Sequence, residues 1–515
     1  MDQITVHPPK GQPKILIAGA GPTGLVLATW LAKTGTPFRI VEKNDGPGQA
    51  SRAMAVQART LEFYRQLGFA DEVVSLGIPV SRGNLRKGER KVATFNFHNF
   101  GAGLSPFPFV LSFPQDEHEK FLVNLLAGMG IQVEWNTELT HFTQDESGVH
   151  AELKSPRGTE NLNVQYICGC DGAHSAVRQT LNLGFPGGTY ERLFYVADVH
   201  LLTGPINDDI NFCLGPDFLL VIFPIRTTGQ HRLIGVVPDT PKKPEEITFE
   251  DVRGVSEYMA DVRVDKVNWF STYKVHHRVA DHFRVNHAFI CGDAGHIHSP
   301  AGGQGMNTGI GDAVNLAWKL ASVVSGRAAA EILDSYEPER LTFARSLVAT
   351  TDRAFTGVAG RGVLSTFVRG FLMPYVFPAL IQLPSTRRDM FRLASQIGIQ
   401  YRESPISRGD ADALRGGNRL PWVPFENGGG NFDALQSLDW QLHVYGAATP
   451  EIRALTTRLR LPLHEFPWSD AAHQAGLVRN GTYLVRPDGY IGRADREPDP
   501  EQLENYFKKF AIVML

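Results

Sequence analysis

At 515 residues the chain has room for roughly two to four domains. A net charge of −3, with both signs interspersed, excludes a nucleic-acid surface built on bulk positive charge. Four cysteines without a CxxC exclude a disulfide framework and a dithiol redox centre; Cys168 and Cys170 are expected buried and reduced.

The first expected element is a short buried strand at Lys14-Ile15-Leu16-Ile17-Ala18. Gly19-Ala20-Gly21-Pro22-Thr23-Gly24 follows, residues 25–33 predict a helix, and a second strand over 38–41 ends at Glu42. Strand, GxGxxG, helix, strand and acidic residue in that order are the dinucleotide-binding fingerprint. The glycines let the backbone approach a pyrophosphate, and Glu42 can accept from a ribose hydroxyl. The uncharged run from Ile15 to Ala32 could instead suggest a signal or membrane segment. Pro22 would break a spanning helix, and neither a basic leader nor a cleavage site flanks the run.

Phe95, Phe97, Phe100, Phe107 and Phe109 are expected in a core, with substrate contact as the alternative. Tyr166 to Cys170 predicts an apolar strand running into Asp171-Gly172, with a helix from about Ser175 that carries Arg178. Strand-like runs over 194–201, 218–224, 232–237 and 267–275 suit an antiparallel sheet. Then Ala288-Phe289-Ile290-Cys291 leads into Gly292-Asp293, a loop rich in Gly and Pro, and a helix from about Met306. Such a loop and helix start grip an anionic or polar ligand through backbone N–H groups. His296 and His298 form an HxH pair, expected to be structural rather than metal-binding. Residues 325–400 read as mostly helical. Within them Val363 to Leu383 is apolar but interrupted by Arg369, Gly370, Pro374 and Pro378, which disfavours a membrane span. From about Glu403 the composition shifts to Pro, Gly and Asp before a small α/β unit.

The segments GAGPTG, CDGAHSAVR and GDAGHIHSPAGGQGMNTGIGDAVNLAWKL resemble the fingerprints of the single-component flavin-dependent aromatic hydroxylases, the para-hydroxybenzoate hydroxylase and phenol hydroxylase family. The resemblance runs in order from about Lys14 to Arg340. The tail around Tyr483 to Arg493 is similar to the thioredoxin-like appendage of the phenol hydroxylase branch. It implies an α/β architecture with three parts. These are a discontinuous Rossmann-type FAD-binding domain (GR2-like; 1–78, 111–190 and 276–370), an inserted antiparallel-sheet substrate domain (79–110 and 191–275), and a helical segment (371–404) before a linker and thioredoxin-like domain (405–515).

The same resemblance implies non-covalent FAD, NADPH or NADH as co-substrate, O₂, and an aromatic substrate hydroxylated through a hydroperoxide at flavin C4a. The expected cofactor residues are Gly19, Gly21, Gly24, Glu42, Arg52, Gln115, Asp171, Asp293, Gly305, Met306 and Asn307, with Pro300 over the reactive edge of the flavin. Tyr195, Asp198, His200, Arg226 and Tyr273 fall in the substrate segment, and spacing does not choose among them. Tyr195 and Arg226 are carried as catalytic candidates. No metal, nucleic acid or membrane span is expected; a cytoplasmic location is, with a homodimer as one option for the assembly. Epoxidation, ring-opening (Baeyer–Villiger) oxygenation and oxidative decarboxylation would use the same flavin chemistry. A non-catalytic FAD scaffold is the non-enzyme alternative.

Overall fold

The computed structural model describes residues 11–514 except 49–52, 88–89, 205, 216–217, 227–228, 300–302, 360–364, 366 and 382. Strand β1 (Ile15–Ala18) is wholly buried, as suits a strand apolar on both faces. Helix α1 (Pro22–Lys33) starts with Pro22 in its first turn, where a missing N–H costs no helical bond. It leads to β2 (Phe38–Val41), parallel to β1. Helix α2 (Ala58–Leu67) stops at Gly68, which takes the left-handed conformation at φ +83°. Strands β3 (Arg82–Lys87) and β4 (Arg90–Asn96) leave this unit, and helix α3 (Gln115–Gly128) returns to it. β5 (Tyr166–Gly169) pairs parallel with β1 on the side opposite β2.

The chain next builds β6 (Gly187–Thr203), β7 (Ile210–Leu214), β8 (Leu219–Ile225) and β9 (Gln230–Val236). Helix α4 (Phe249–Ala260) and the long β10 (Arg263–Val279) follow. These strands form an eight-stranded sheet in the order His296–Ile297, β10, β6, β9, β8, β7, β3, β4. Pairing assigns the two faces. Tyr195, Ala197, Val199, Leu220, Ile222 and Leu233 point to one side and close a core under α4. Phe194, Val196 and Asp198 face the other side, opposite Val236, Ile234 and Arg232 of β9. Leu219, Val221 and Phe223 of β8 extend that second face.

β11 (Arg284–Val285) and β12 (Ala288–Ile290) bring the chain back. The first sheet then reads β11, β12, β5, β1, β2. The C-terminal ends of β1, β5 and β12 are therefore neighbours, and so are the loops that leave them. Helix α5 (Gly305–Val324) is buried on almost every side and packs on α1, while α6 (Tyr336–Ala359) crosses behind it. Close packing of α1, α5 and the β12 turn needs glycine. A Cβ at Gly309 would lie 2.4 Å from Thr23 Oγ1, and one at Gly292 2.6 Å from the same atom.

The described part of the apolar run read as helical contains a π-helical stretch at Val368–Val376 and a helix at Phe377–Leu380, with a further helix at Pro384–Ala394. It leaves Phe367, Phe371 and Tyr375 exposed. The last region is a four-stranded sheet built from β13 (Gln441–Tyr445), α7 (Pro450–Leu459), β14 (Leu463–Phe466), β15 (Thr482–Val485), β16 (Ile491–Asp495) and α8 (Pro500–Lys509). Its strand order is β14, β13, β15, β16, with only the first pair parallel.

The core of the first unit contains a buried titratable pair, His118 and Tyr64, with Tyr64 Oη 2.7 Å from His118 Nε2. Burial pushes the His118 imidazole down to about 3. An unfolded histidine titrates near 6.5, so below that pH the unfolded chain takes up a proton that the folded chain refuses. The contribution of His118 to stability is complete above about pH 6.5 and is lost progressively as pH falls towards 3. By pH 5 the loss is roughly 2 kcal/mol. Melting temperatures of His118→Gln should therefore fall about 2–3 °C less between pH 7 and pH 5 than those of the wild type. Equal falls would show that another group carries the acid sensitivity.

Candidate active site

The first loop is shaped by three glycines with different tasks. Gly19 has φ +103°, and a Cβ there would lie 2.3 Å from the carbonyl oxygen of Cys170. A Cβ on Gly24 would lie 2.0 Å from the oxygen of Gly19. Gly21 is ordinary in backbone, and a side chain there would meet nothing within 4 Å. The first two let the loop fold tightly, and the third borders open space at the N-terminus of α1. Glu42 is held at the end of β2 by the N–H groups of Ala20 (2.9 Å) and Asn44 (3.1 Å). Glu119 accepts from Gly48 N at 2.8 Å and from Gln115 Nε2 at 2.8 Å, which fixes Gln115 beside the same loop system.

The second loop carries Asp171. Its Oδ2 accepts from Val177 N at 3.2 Å, while Oδ1 is buried with no partner among the described residues. Burial raises its carboxyl pKa. Arg178 donates to Ala294 O at 2.8 Å and so ties this loop to the third. There Gly292 turns at φ +62° and Asp293 is exposed. Behind this turn, Asp312 of α5 accepts from Gly292 N at 2.9 Å and stands 2.7 Å from His296 Nε2. Arg340 of α6 donates to Asp312 at 2.6 Å. Burial alone would raise the Asp312 pKa, but Arg340 and His296 hold it below the usual carboxylate range. HxH thus supplies one structural partner, His296. Among the described residues no group of three His, Cys, Asp or Glu side chains is placed to hold a metal.

The start of α5 has no side-chain cap. Its first-turn N–H groups, at Gly305, Met306 and Asn307, therefore lack intrahelical partners. The side chain of Asn307 is fully committed elsewhere. Its Oδ1 accepts from Gln57 N and Thr60 Oγ1, both at 2.8 Å, and its Nδ2 donates to Ala55 O and Gly303 O.

The sheet face away from α4 supplies an apolar wall. Phe212, Val221, Phe223 and Ile234 on it are only half-buried. A polar pair interrupts the wall, with Arg232 donating to both Asp198 oxygens at 2.7 and 2.6 Å. Asp116, at the start of α3, lies close enough for its charge to interact with Arg232, which puts this face against the first unit.

Comparison with known proteins fits this geometry. The FAD binding domain family matches residues 12–351. The chain belongs to the flavin-dependent aromatic hydroxylases. The 6-methylpretetramide 4-monooxygenase of Streptomyces rimosus is 33% identical, covering 94% of this chain and 91% of its own. The pentachlorophenol 4-monooxygenase of Sphingobium chlorophenolicum is 30% identical, covering 92% and 86%. Among solved structures, the anhydrotetracycline hydroxylase of Streptomyces rimosus superposes with a TM-score of 0.77 at 27% identity, over 97% of this chain and 99% of that one. The protein is thus an FAD-dependent monooxygenase.

The residues fit that cofactor. Gly21 leaves room at a helix N-terminus for a pyrophosphate, a buried Asp171 oxygen has no donor among the described residues, and the start of α5 offers N–H groups that no side chain caps. Two expected residues, Arg52 and Pro300, lie outside the described residues. Tyr195 requires a correction. It lies under α4 on the far face of the sheet, with Oη 2.7 Å from Ser256 Oγ and only 1% exposed, so it cannot reach a ring on the site face. Burial also pushes its phenol pKa up. Arg226 is exposed at the turn after β8 rather than on the site face. Of the other substrate-segment candidates, Asp198 and Tyr273 share the face of Phe194. Sequence reasoning missed Tyr190. Its hydroxyl donates to Asp352 of α6 at 2.6 Å, across 162 residues that leave no local signal.

Proposed function

We propose that this monooxygenase uses NAD(P)H and O₂ to hydroxylate a phenolic, polyketide-like ring held between the turn at 292–299, the start of α5 and the apolar face of the eight-stranded sheet. The observation that carries this reading is the half-buried wall of Phe212, Val221, Phe223 and Ile234, which suits a flat aromatic better than a polar metabolite. Bound FAD supplies what side chains cannot: it accepts a hydride and passes the electrons to oxygen. The chain's own residues bind, orient and exclude water. Gly19, Gly21 and Gly24 receive the pyrophosphate, Glu42 the ribose and Asp293 the ribitol. The N–H groups at Gly305 to Asn307 face the electron-rich end of the ring system, where a helix start contributes up to about 2 kcal/mol. Arg232 and Asp198 offer polar contacts to substituents at the edge of the substrate.

The nicotinamide binds transiently, because the described residues build no second nucleotide-binding fold. The βαβ-then-hairpin order of the last region supports reading it as a thioredoxin-like module, and no cysteine follows Cys291 to make it a redox centre. A cytoplasmic location and a homodimer complete the reading; no helix among the described residues is long and apolar enough to cross a membrane.

The test is NAD(P)H oxidation with a panel of phenols, followed by mass spectrometry of products formed under ¹⁸O₂. Incorporation of one labelled oxygen into a ring supports the reading, and oxidation of NAD(P)H with every phenol that only reduces O₂ to hydrogen peroxide contradicts it. Asp293→Ala should weaken FAD binding by about 10- to 100-fold, because a charge-assisted hydrogen bond is worth roughly 1.5–3 kcal/mol. Fluorescence titration of the apoprotein with FAD measures this directly, and an unchanged affinity would remove Asp293 from the site.

A further inference from the structure

Two side-chain atoms in the third loop, His296 Nδ1 and His298 Nε2, are buried without a partner among the described residues, and the second borders the start of α5. The Nδ1 of His298 lies 2.8 Å from the carbonyl oxygen of Ser299. A carbonyl only accepts, so Nδ1 carries the proton and Nε2 is a bare acceptor. The ring is neutral at physiological pH, because burial pushes its pKa down to about 4 and His296 adds to the effect. Nε2 is shut off from solvent and has no partner among the described residues. A buried acceptor without a donor is costly and is normally met by a ligand or an ordered water.

The position of this atom points to the first of these. A Cβ built on Gly305 would lie 3.8 Å from Nε2, so the ring edge and the start of α5 border the same space. The neighbouring charged and titratable groups do not provide the donor. His296 lies parallel to His298, with ring centroids 6.4 Å apart, and bonds Asp312. Asp312 and Arg340 are engaged with each other, and Arg340 also donates to Tyr401 Oη and Thr308 O. Open N–H donors on α5 beside a bare acceptor on His298 match a ligand edge that alternates carbonyl and N–H, as a flavin imide does.

We infer that His298 is a further ligand-contacting residue of the active site, whose Nε2 accepts a hydrogen bond from an N–H or O–H of the bound ligand. The donor is either the imide of the flavin or the hydroxyl of the aromatic substrate. The inference rests on the proposed function, which places the flavin beside the turn at 292–299 and the start of α5.

The experiment compares wild type, His298→Phe and His298→Gln. Apoprotein is titrated with FAD by fluorescence, and the FAD-loaded protein is titrated with a phenol by the perturbation of flavin absorbance. His298→Phe should bind FAD about tenfold more weakly, and His298→Gln, which keeps an acceptor, should recover most of the loss. Unchanged FAD binding with a tenfold weaker, glutamine-rescued affinity for the phenol assigns the donor to the substrate hydroxyl. Wild-type affinities in both titrations for both variants mean that Nε2 serves only a water, and they overturn the inference. If Asp293→Ala and Gly19→Ala also bind FAD normally, the placement of the flavin has failed rather than the role of His298.

Discussion

Gly19→Ala should strip the protein of FAD, whereas Gly21→Ala should leave the apoprotein intact and weaken FAD binding alone. At φ +103° an alanine is strained by roughly 1–3 kcal/mol. Its methyl group would also press on the carbonyl of Cys170 at 2.3 Å. That oxygen belongs to the backbone at the end of β5 and cannot swing away. Overpacking of this kind costs about 1–3 kcal/mol more. If about 3–4 kcal/mol of this falls on the bound conformation of the loop, FAD affinity drops on the order of 10²- to 10³-fold. Part of the strain remains without ligand, so the apoprotein should also melt lower. Gly21 differs in both respects, with φ −73° and open space before its Cα. An alanine there projects only into the volume left for the pyrophosphate. FAD-to-protein ratios after gel filtration, together with apoprotein melting curves, separate the two cases. Lower stability of Gly21→Ala apoprotein, or a full FAD complement in Gly19→Ala, would refute this account of the loop.

The sequence marks this loop because its determinants are contiguous. Strand, glycines, helix and acidic residue lie within residues 14–42, and their order is a recognisable pattern even though the atom that crowds Gly19 belongs to Cys170. Asp171 and Asp293 are marked in the same way, by a strand that ends in a turn. The order β12, β5, β1 in a parallel sheet then brings the three turns to one edge. The substrate face is less legible. Tyr195 and Phe194 are adjacent in sequence and point in opposite directions, so choosing between them needs the register of β6. That register is broken by irregularities between 189 and 193 and between 198 and 199, where counting by twos fails. Pairs joined across long stretches are not legible at all. Tyr190 meets Asp352, and Asp312 meets Arg340, only because the sheets and helices have already formed. The bare nitrogen of His298 is illegible for the same reason, since it emerges only once Ser299 and Gly305 are in place.

The second large effect is expected far from the flavin loops, where the C-terminal region docks. Glu339 of α6 is fully buried and accepts from Lys319 of α5 at 2.9 Å and from Arg486, after β15, at 2.7 and 3.0 Å. Asn315 and Ser404 donate to it as well, both at 2.6 Å. Asp488 completes the group, bonded to Arg486 and to Trp318 Nε1. Burial alone would raise the pKa of Glu339, but Arg486 and Lys319 hold it well below the usual range. Burial pulls Lys319 down to about 8 despite Glu339. Glu339→Ala leaves Lys319 and Arg486 in a dry interior with one carboxylate fewer. Breaking a buried pair in this way costs about 3–5 kcal/mol. In a chain of this size that corresponds to a melting-temperature loss of roughly 5 °C, and the C-terminal region should become the first site of limited proteolysis. Replacing all four charged members removes the uncompensated charge. The quadruple variant Lys319→Met, Glu339→Leu, Arg486→Met, Asp488→Asn should therefore melt above Glu339→Ala, although it carries more changes. A quadruple variant that melts below Glu339→Ala would show that these hydrogen bonds stabilise the docked region in their own right, and that stranded charge is not what the single substitution exposes.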